Sequence, residues 1–405
     1  MENDEIMRYQ NINCEPISAP QRFDVEADGL AEALKNALQK TEKNLPKFVH
    51  LYPSACSEKS WYRAVPNATT ELGSDWTAAF WTGMLWLSYE MSRNELFRAV
   101  AEAQFDDYAQ RYDAFQLMNH HDMGFLFIPS IVAQYKLTGS RKARKLALKA
   151  ADVLAGRFSE RAGIIQVRDR DIQGAFIIDC SMNVPLLFWA AQQTGRHDYY
   201  VKGLRHMVRV AECMLRADGS SYQCFQIDEV TGQPVRGWQG QGYDDASCWA
   251  RGQAWLIYGL ALCYRYTKDL DFLYAAKCAS NYFLNRLPSD LVCNWDLIFT
   301  QDEEQRDTSA AAIAACGLLE LHRQLPAQDA ERNLYLNAGR AITVRLAERY
   351  TADSAVTDGL LLHGVYCRDK GDGGLGDDEC CIWGDYFYME ALVRLSQKDG
   401  WNPYW

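Results

Sequence analysis

An all-α (α/α)6 barrel, six helical hairpins closed as an inner ring inside an outer ring, is the fold that the sequence predicts. Two observations lead there. Twelve segments with helical spacing follow one another almost without interruption, and they alternate between amphipathic and apolar nearly all round. Their tempo is a third, with hairpins spaced by roughly 45 to 65 residues. An α-solenoid would share the alternation, but solenoid repeats resemble one another in sequence and these segments do not.

Residues 1–24, with Pro16, Pro20 and little periodicity, predict an irregular leader lying on the surface, and 25–405 a single barrel domain. Within the barrel, helical spacing covers 27–45, 76–91, 94–112, 123–138, 140–157, 181–194, 197–216, 248–267, 270–287, 308–323, 329–349 and 381–397. The odd members are charged on one face, as in the run that starts Arg141-Lys-Ala-Arg-Lys-Leu, and expect water on that side. The even members, such as Trp81-Thr-Gly-Met-Leu-Trp-Leu and Ala310-Ala-Ala-Ile-Ala-Ala-Cys, belong to a core. Two gaps, 158–180 and 218–246, carry β-type alternation and Gly-rich turns, which predicts extended loops or hairpins at a barrel rim.

Composition narrows the function classes. A formal charge of −11 with no clustered basic surface argues against a nucleic-acid partner. The N-terminus lacks the basic and apolar regions of a signal peptide, and no apolar run reaches the ~20 residues of a membrane span. Thirteen cysteines, an odd number scattered through apolar helical patterns, fit free thiols in a reducing, cytoplasmic setting. No CxxC or HExxH spacing supports a metal, and the adjacent His120 and His121 point apart on a helix. No cofactor is expected.

In a barrel of this kind the even helices run the same way, so their N-terminal ends gather at one mouth. There the chain places Asp75, Trp76 and Trp81; His120, His121 and Asp122; Asp179; Gln241, Trp249 and Arg251; Arg306 and Asp307; and Glu379, Trp383 and Asp385. Carboxylates, tryptophans and arginines are the fittings of a sugar site, since flat rings cover pyranose faces, carboxyls move protons and arginine holds acidic groups. Each has a plainer reading. Asp75, Asp122 and Asp307 stand where N-caps stand, and Trp76, Trp81, Trp249 and Trp255 are as well suited to packing as to a platform. Asp179, driven through the apolar run Ile177 to Trp189, is either a cap or an acid.

Five motifs in order, His120-His-Asp-Met-Gly-Phe125, Ile178-Asp-Cys-Ser-Met-Asn-Val-Pro185, Trp249-Ala-Arg-Gly-Gln-Ala-Trp255, Arg306-Asp-Thr-Ser-Ala-Ala-Ala312 and Ile382-Trp-Gly-Asp-Tyr-Phe-Tyr388, resemble the bacterial unsaturated glucuronyl hydrolases of glycoside hydrolase family 88. The resemblance runs from about Trp76 to Leu395 and implies an (α/α)6 barrel. It further implies hydrolysis of the 4,5-unsaturated uronic acid that a lyase leaves at the non-reducing end of a glycosaminoglycan, without metal or cofactor. On this reading Asp179 protonates the C4=C5 vinyl ether and activates water, with Asp122 as the second carboxylate. Arg251 and Gln241 lie near the uronate, and Trp76, Trp249 and Trp255 form aromatic walls. Trp81 and His121 complete the expected substrate-binding set with Gln223, Arg368 and Lys370. Two departures stand out: Gln223 falls where the family would have histidine, and the loop from His363 lacks the serines and lysine of members that prefer sulfated substrates. Arg368 and Lys370 could meet a sulfate there, opposed by Asp369, Asp372, Asp377 and Asp378. The expected partner is an unsaturated oligosaccharide, with no membrane and a monomer or homodimer. The competing expectations are an unsaturated rhamnogalacturonyl hydrolase acting on pectin fragments, and a non-catalytic sugar-binding or sugar-epimerase barrel.

Overall fold

The computed structural model describes residues 9, 11–167, 172–302, 304–369, 371, 374–397 and 400–405. Every predicted helical segment is matched by a helix or by abutting helices. The inner ring is Ala78–Ser92, 123–138, 180–194, Ala250–Thr267, Thr308–Gln324 and Ile382–Ser396; the outer ring is Leu30–Asn44, 95–113, Arg141–Gly156, 197–214, Leu270–Asn285 and Arg332–Arg349. Each inner helix packs on the next, and Ile382–Ser396 returns to Ala78–Ser92, which closes the ring. Apolarity on all sides is what an inner position requires, because such a helix meets neighbours on both flanks, the barrel axis and the outer ring. Ala78–Ser88 and Ala250–Cys263 are accordingly buried without a break.

The inner helix 123–138 widens into a π-turn at Ile128–Val132, where Pro129 can donate no backbone N–H. Both predicted gaps form strands. Ala175–Ile177 pairs antiparallel with Cys224–Ile227, which pairs with Pro234–Trp238, in a three-stranded sheet. Gly174 begins this sheet at φ +73°, and a Cβ there would sit 1.9 Å from the carbonyl oxygen of Ile227. A second hairpin, Gly364–Val365 with Asp377–Glu379, precedes the last inner helix.

At the opposite, C-terminal end of the inner ring lies a buried ionic cluster. Arg394 meets Glu320 at 2.9 Å and Glu390 at 3.0 Å, and Tyr258 and Trp405 donate to the two oxygens of Glu390 at 2.5 and 2.8 Å. Burial would push Glu320 up, but the guanidinium of Arg394, aided by Arg265, outweighs it and holds this carboxyl below its usual range. Trp405 stacks on Phe387 and closes this end. The leader is irregular apart from the 3-10 turn Pro20–Phe23, and it buries Tyr9, Ile12 and Phe23 against the barrel. Among the described residues no helix is long and apolar enough to cross a membrane, and none of the thirteen cysteines is in a disulfide.

Candidate active site

The three-stranded sheet delivers one carboxylate to the mouth. Ile177 pairs with Cys224, Ile178 donates its N–H to the carbonyl of Gln223 at 2.8 Å, and the chain turns into its inner helix at Asp179. Asp179 occupies the N-cap position without capping: its backbone is already helical and its side chain accepts no cap hydrogen bond. The residue keeps some accessible surface, yet Oδ2 is sealed and has no hydrogen-bond partner. Burial, reinforced by Asp122 and opposed by Arg251, pushes this carboxyl up to about 7. Asp179 is therefore not the cap of its helix.

Asp122 likewise stands before its helix without capping it. Its Oδ1 lies 3.1 Å from His121 Nε2 and 3.3 Å from Asn183 Nδ2. His120 faces the backbone N–H of Asp122 at 3.1 Å and its carboxylate at 3.3 Å through Nδ1, and the carbonyl of Leu117 at 2.7 Å through Nε2. Asp307, by contrast, is the cap its position predicts, accepting from the N–H groups of Ser309 and Ala310 at 3.0 and 3.2 Å.

Asn183 ties the Asp122 carboxylate to the backbone of Asp179 and escaped notice as a bare member of a motif. One turn beyond Asp179, it donates to the carbonyl of Asp179 and to Asp122, and accepts the N–H of Phe125 at 2.8 Å. The inner helices cross so closely that a Cβ on Gly124 would fall 2.4 Å from the Cα of Asn183. Its signal was the i, i+4 spacing from Asp179. Asn183→Ala strands a buried N–H and leaves Asp122 without this tether. We expect a cost of about 1–3 kcal/mol, measured by denaturant unfolding, with a fall in turnover that Asn183→Gln does not repair.

The remaining expected residues divide. Gln223 and Gln241 form a closed pair, Nε2 to Oε1 at 2.7 Å and backbone N–H to Oε1 at 2.6 Å, and Gln241 donates onward to the carbonyl of Tyr366 at 2.7 Å. Arg251 is buried over the ring of Trp249, 4.2 Å away, with Trp383 at 5.1 Å. Its guanidinium donates to the carbonyls of Val365 and Tyr366 and lies 3.5 Å from Asp307. Trp76 packs on Phe125 and Trp383 and donates its indole N–H to the Tyr366 hydroxyl at 3.0 Å. Trp255 is fully buried, 4.9 Å behind Phe125, and supports that ring from beneath.

Trp81 is not brought to this group. It turns toward Phe48, donates to its carbonyl at 3.1 Å and serves as packing between the rings. Arg368 is held in the rim hairpin by Asp377 at 2.6 Å and Glu304 at 3.2 Å, so its charge is already met. Lys370 lies outside the described residues. Tyr366, on which Trp76, Gln241 and Arg251 converge, was missed because it sits in an irregular loop with no periodicity to announce it. Among the described residues no group of three or more His, Cys, Asp or Glu side chains is placed to hold a metal ion.

Residues 55–334 match Glycosyl Hydrolase Family 88. The unsaturated chondroitin disaccharide hydrolase of Streptococcus pneumoniae is 40% identical over 405 residues, spanning 98% of this chain and 100% of that protein. The crystal structure of the unsaturated glucuronyl hydrolase from Streptococcus agalactiae superposes with a TM-score of 0.91 at 38% identity, covering 97% of this chain and 99% of that one. An aspartate-to-asparagine variant of the latter, solved in complex with dGlcA-GalNAc6S, superposes with a TM-score of 0.85. With most of its length matched and these relatives covered end to end, the chain belongs to glycosyl hydrolase family 88.

Proposed function

We infer that the protein removes the 4,5-unsaturated uronic acid from the non-reducing end of lyase-generated glycosaminoglycan fragments, with Asp179 as general acid and base. The observation that carries this reading is a sealed carboxyl, raised to about 7, between Asp122 and a mouth of tryptophans and one arginine. A carboxyl that is half protonated near neutral pH can give its proton to carbon C4 of the vinyl ether, leaving positive charge shared by C5 and the ring oxygen. The Asp179 carboxylate so formed takes a proton from water as it adds to C5. The resulting hemiketal opens, and the hemiacetal left at C1 expels the rest of the sugar as an alcohol. Asp122 acts beside it as a negative charge held by His121 and Asn183, keeping the proton on Asp179 until the substrate takes it. Arg251 is the cation for the C5 carboxylate, so a chain of net charge −11 accepts an anion through local charge.

Gln223, bound to Gln241, positions that amide and has no proton of its own to give. The paired Arg368 argues for fragments without sulfate at that rim. The names of the relatives favour glycosaminoglycan over pectin fragments and a hydrolase over an epimerase. Thirteen cysteines with no disulfide among them are in keeping with a cytoplasmic enzyme receiving imported disaccharides. Incubation with unsaturated chondroitin and rhamnogalacturonan disaccharides, following loss of the alkene absorbance, tests the reading. We expect loss with the first; loss with the second alone, or with neither, overturns it.

A further inference from the structure

The leader is laid along one stripe of an outer helix. Tyr274, Cys278, Asn281 and Asn285 of Leu270–Asn285 are spaced four, three and four residues apart and so share a face. Tyr274 donates its hydroxyl to the carbonyl of Ile12 at 2.9 Å, Asn281 donates to that of Glu15 at 2.9 Å, and Asn285 donates to that of Pro16 at 3.0 Å. Asn285 also accepts the N–H of Ser18, and Arg286 meets the carboxylate of Glu15 at 2.5 Å. In the one interval of this ladder with no backbone rung, between Tyr274 and Asn281, Cys14 meets Cys278. Asn281 Nδ2 stands 3.7 Å from Cys14 Sγ, and the rungs on either side, Tyr274 to Ile12 and Asn281 to Glu15, lay Cys14 over Cys278. Cys278 is buried, whereas Cys14 is partly exposed.

We propose that Cys14 and Cys278 are a peroxide-sensitive modification site, oxidised to a disulfide that fastens the leader to the outer ring. The accessible member is also the more acidic one: the neighbouring Cys278 thiol, with help from Lys277, lowers Cys14 against the opposing pull of burial and Glu331. The Cys14 thiolate attacks hydrogen peroxide, the O–O bond breaks, an S–O bond forms, and the departing hydroxide is protonated to water. The sulfur of Cys278 then attacks the sulfenic acid, the S–S bond forms as the S–O bond breaks, and a second water leaves with the Cys278 proton. Two electrons pass from two thiols to one peroxide. Cys56 and Cys381 also stand opposite each other, but both are buried and burial pushes Cys56 up to about 12, which denies them the thiolate and the access.

The full chain, reduced and desalted, is treated with a few equivalents of hydrogen peroxide, then denatured and alkylated. We expect two of the thirteen thiols to escape alkylation, an intact mass about 2 Da lower before alkylation, a Cys14–Cys278 linked peptide, and full reversal by dithiothreitol. Cys14→Ser, at a partly exposed position that folding tolerates, should leave every remaining thiol open to alkylation. Cys278→Ala should stop the chemistry at a Cys14 sulfenic acid that dimedone captures. Complete alkylation of the treated wild-type chain overturns the proposal, as does a link between any other pair or an unchanged thiol loss in Cys14→Ser.

Discussion

Asp179→Asn is expected to lower kcat by about 10²–10⁴-fold while the affinity for an unsaturated disaccharide stays within about one order of magnitude. Asparagine has the same shape and cannot give a proton to carbon. The two readouts are steady-state loss of alkene absorbance and calorimetric binding; a wild-type rate in the variant removes the central claim. The wild-type profile carries a second signature. Because burial and Asp122 raise the Asp179 carboxyl to about 7, the acid form disappears above that pH, and kcat/KM should fall along a limb centred near 7. The same shift has a stability sign. A carboxyl raised in the folded state favours folding fully below its unfolded value and withdraws that contribution as pH rises through about 7. Asp179→Asn removes the penalty, so its melting temperature should match or exceed that of the wild type at pH 8 and lose that advantage by pH 5. A less stable variant at both pH values would mean that the carboxyl is not strained by burial.

Arg394→Met should be the most destabilising single change away from the mouth. It leaves Glu320 and Glu390, both fully buried, without the cation they share, for a cost of about 3–5 kcal/mol. Equilibrium unfolding in urea measures it, and a loss below about 1 kcal/mol would show that the cluster contributes little to stability. The double change of Glu320→Gln with Arg394→Met should recover part of the loss, since it removes one orphaned charge. The wild-type cluster also sets an acid limit. Glu320 is held below its usual range, so its contribution is present above the ordinary glutamate value and lost as pH falls through the folded one.

The ring architecture was legible because burial leaves a periodic record: a helix such as Ala310–Leu318 that is apolar on all sides can only be inner, and alternation with charged helices then dictates the hairpins. The helix starts were legible for the same reason, so Asp122, Asp179 and Arg251 could be assigned to one mouth from their places in the chain. Direction of view was not. Trp76 and Trp81 are five residues apart at one helix start, yet the first joins the mouth and the second faces Phe48. Nor could spacing tell that Asp307 caps while Asp122 and Asp179 do not, because a cap depends on the backbone angle at one residue. The meeting of Tyr366 with Gln241 depends on a loop folding back over 125 positions of chain, which no local pattern records.

That loop alters what affinity means at this mouth. Arg251 and Gln241, which a uronate carboxylate would address, already donate to the carbonyls of Val365 and Tyr366. A ligand that takes those bonds trades partners with the protein's own backbone. The net gain for each such bond is then the small difference between a carboxylate and a carbonyl as acceptor.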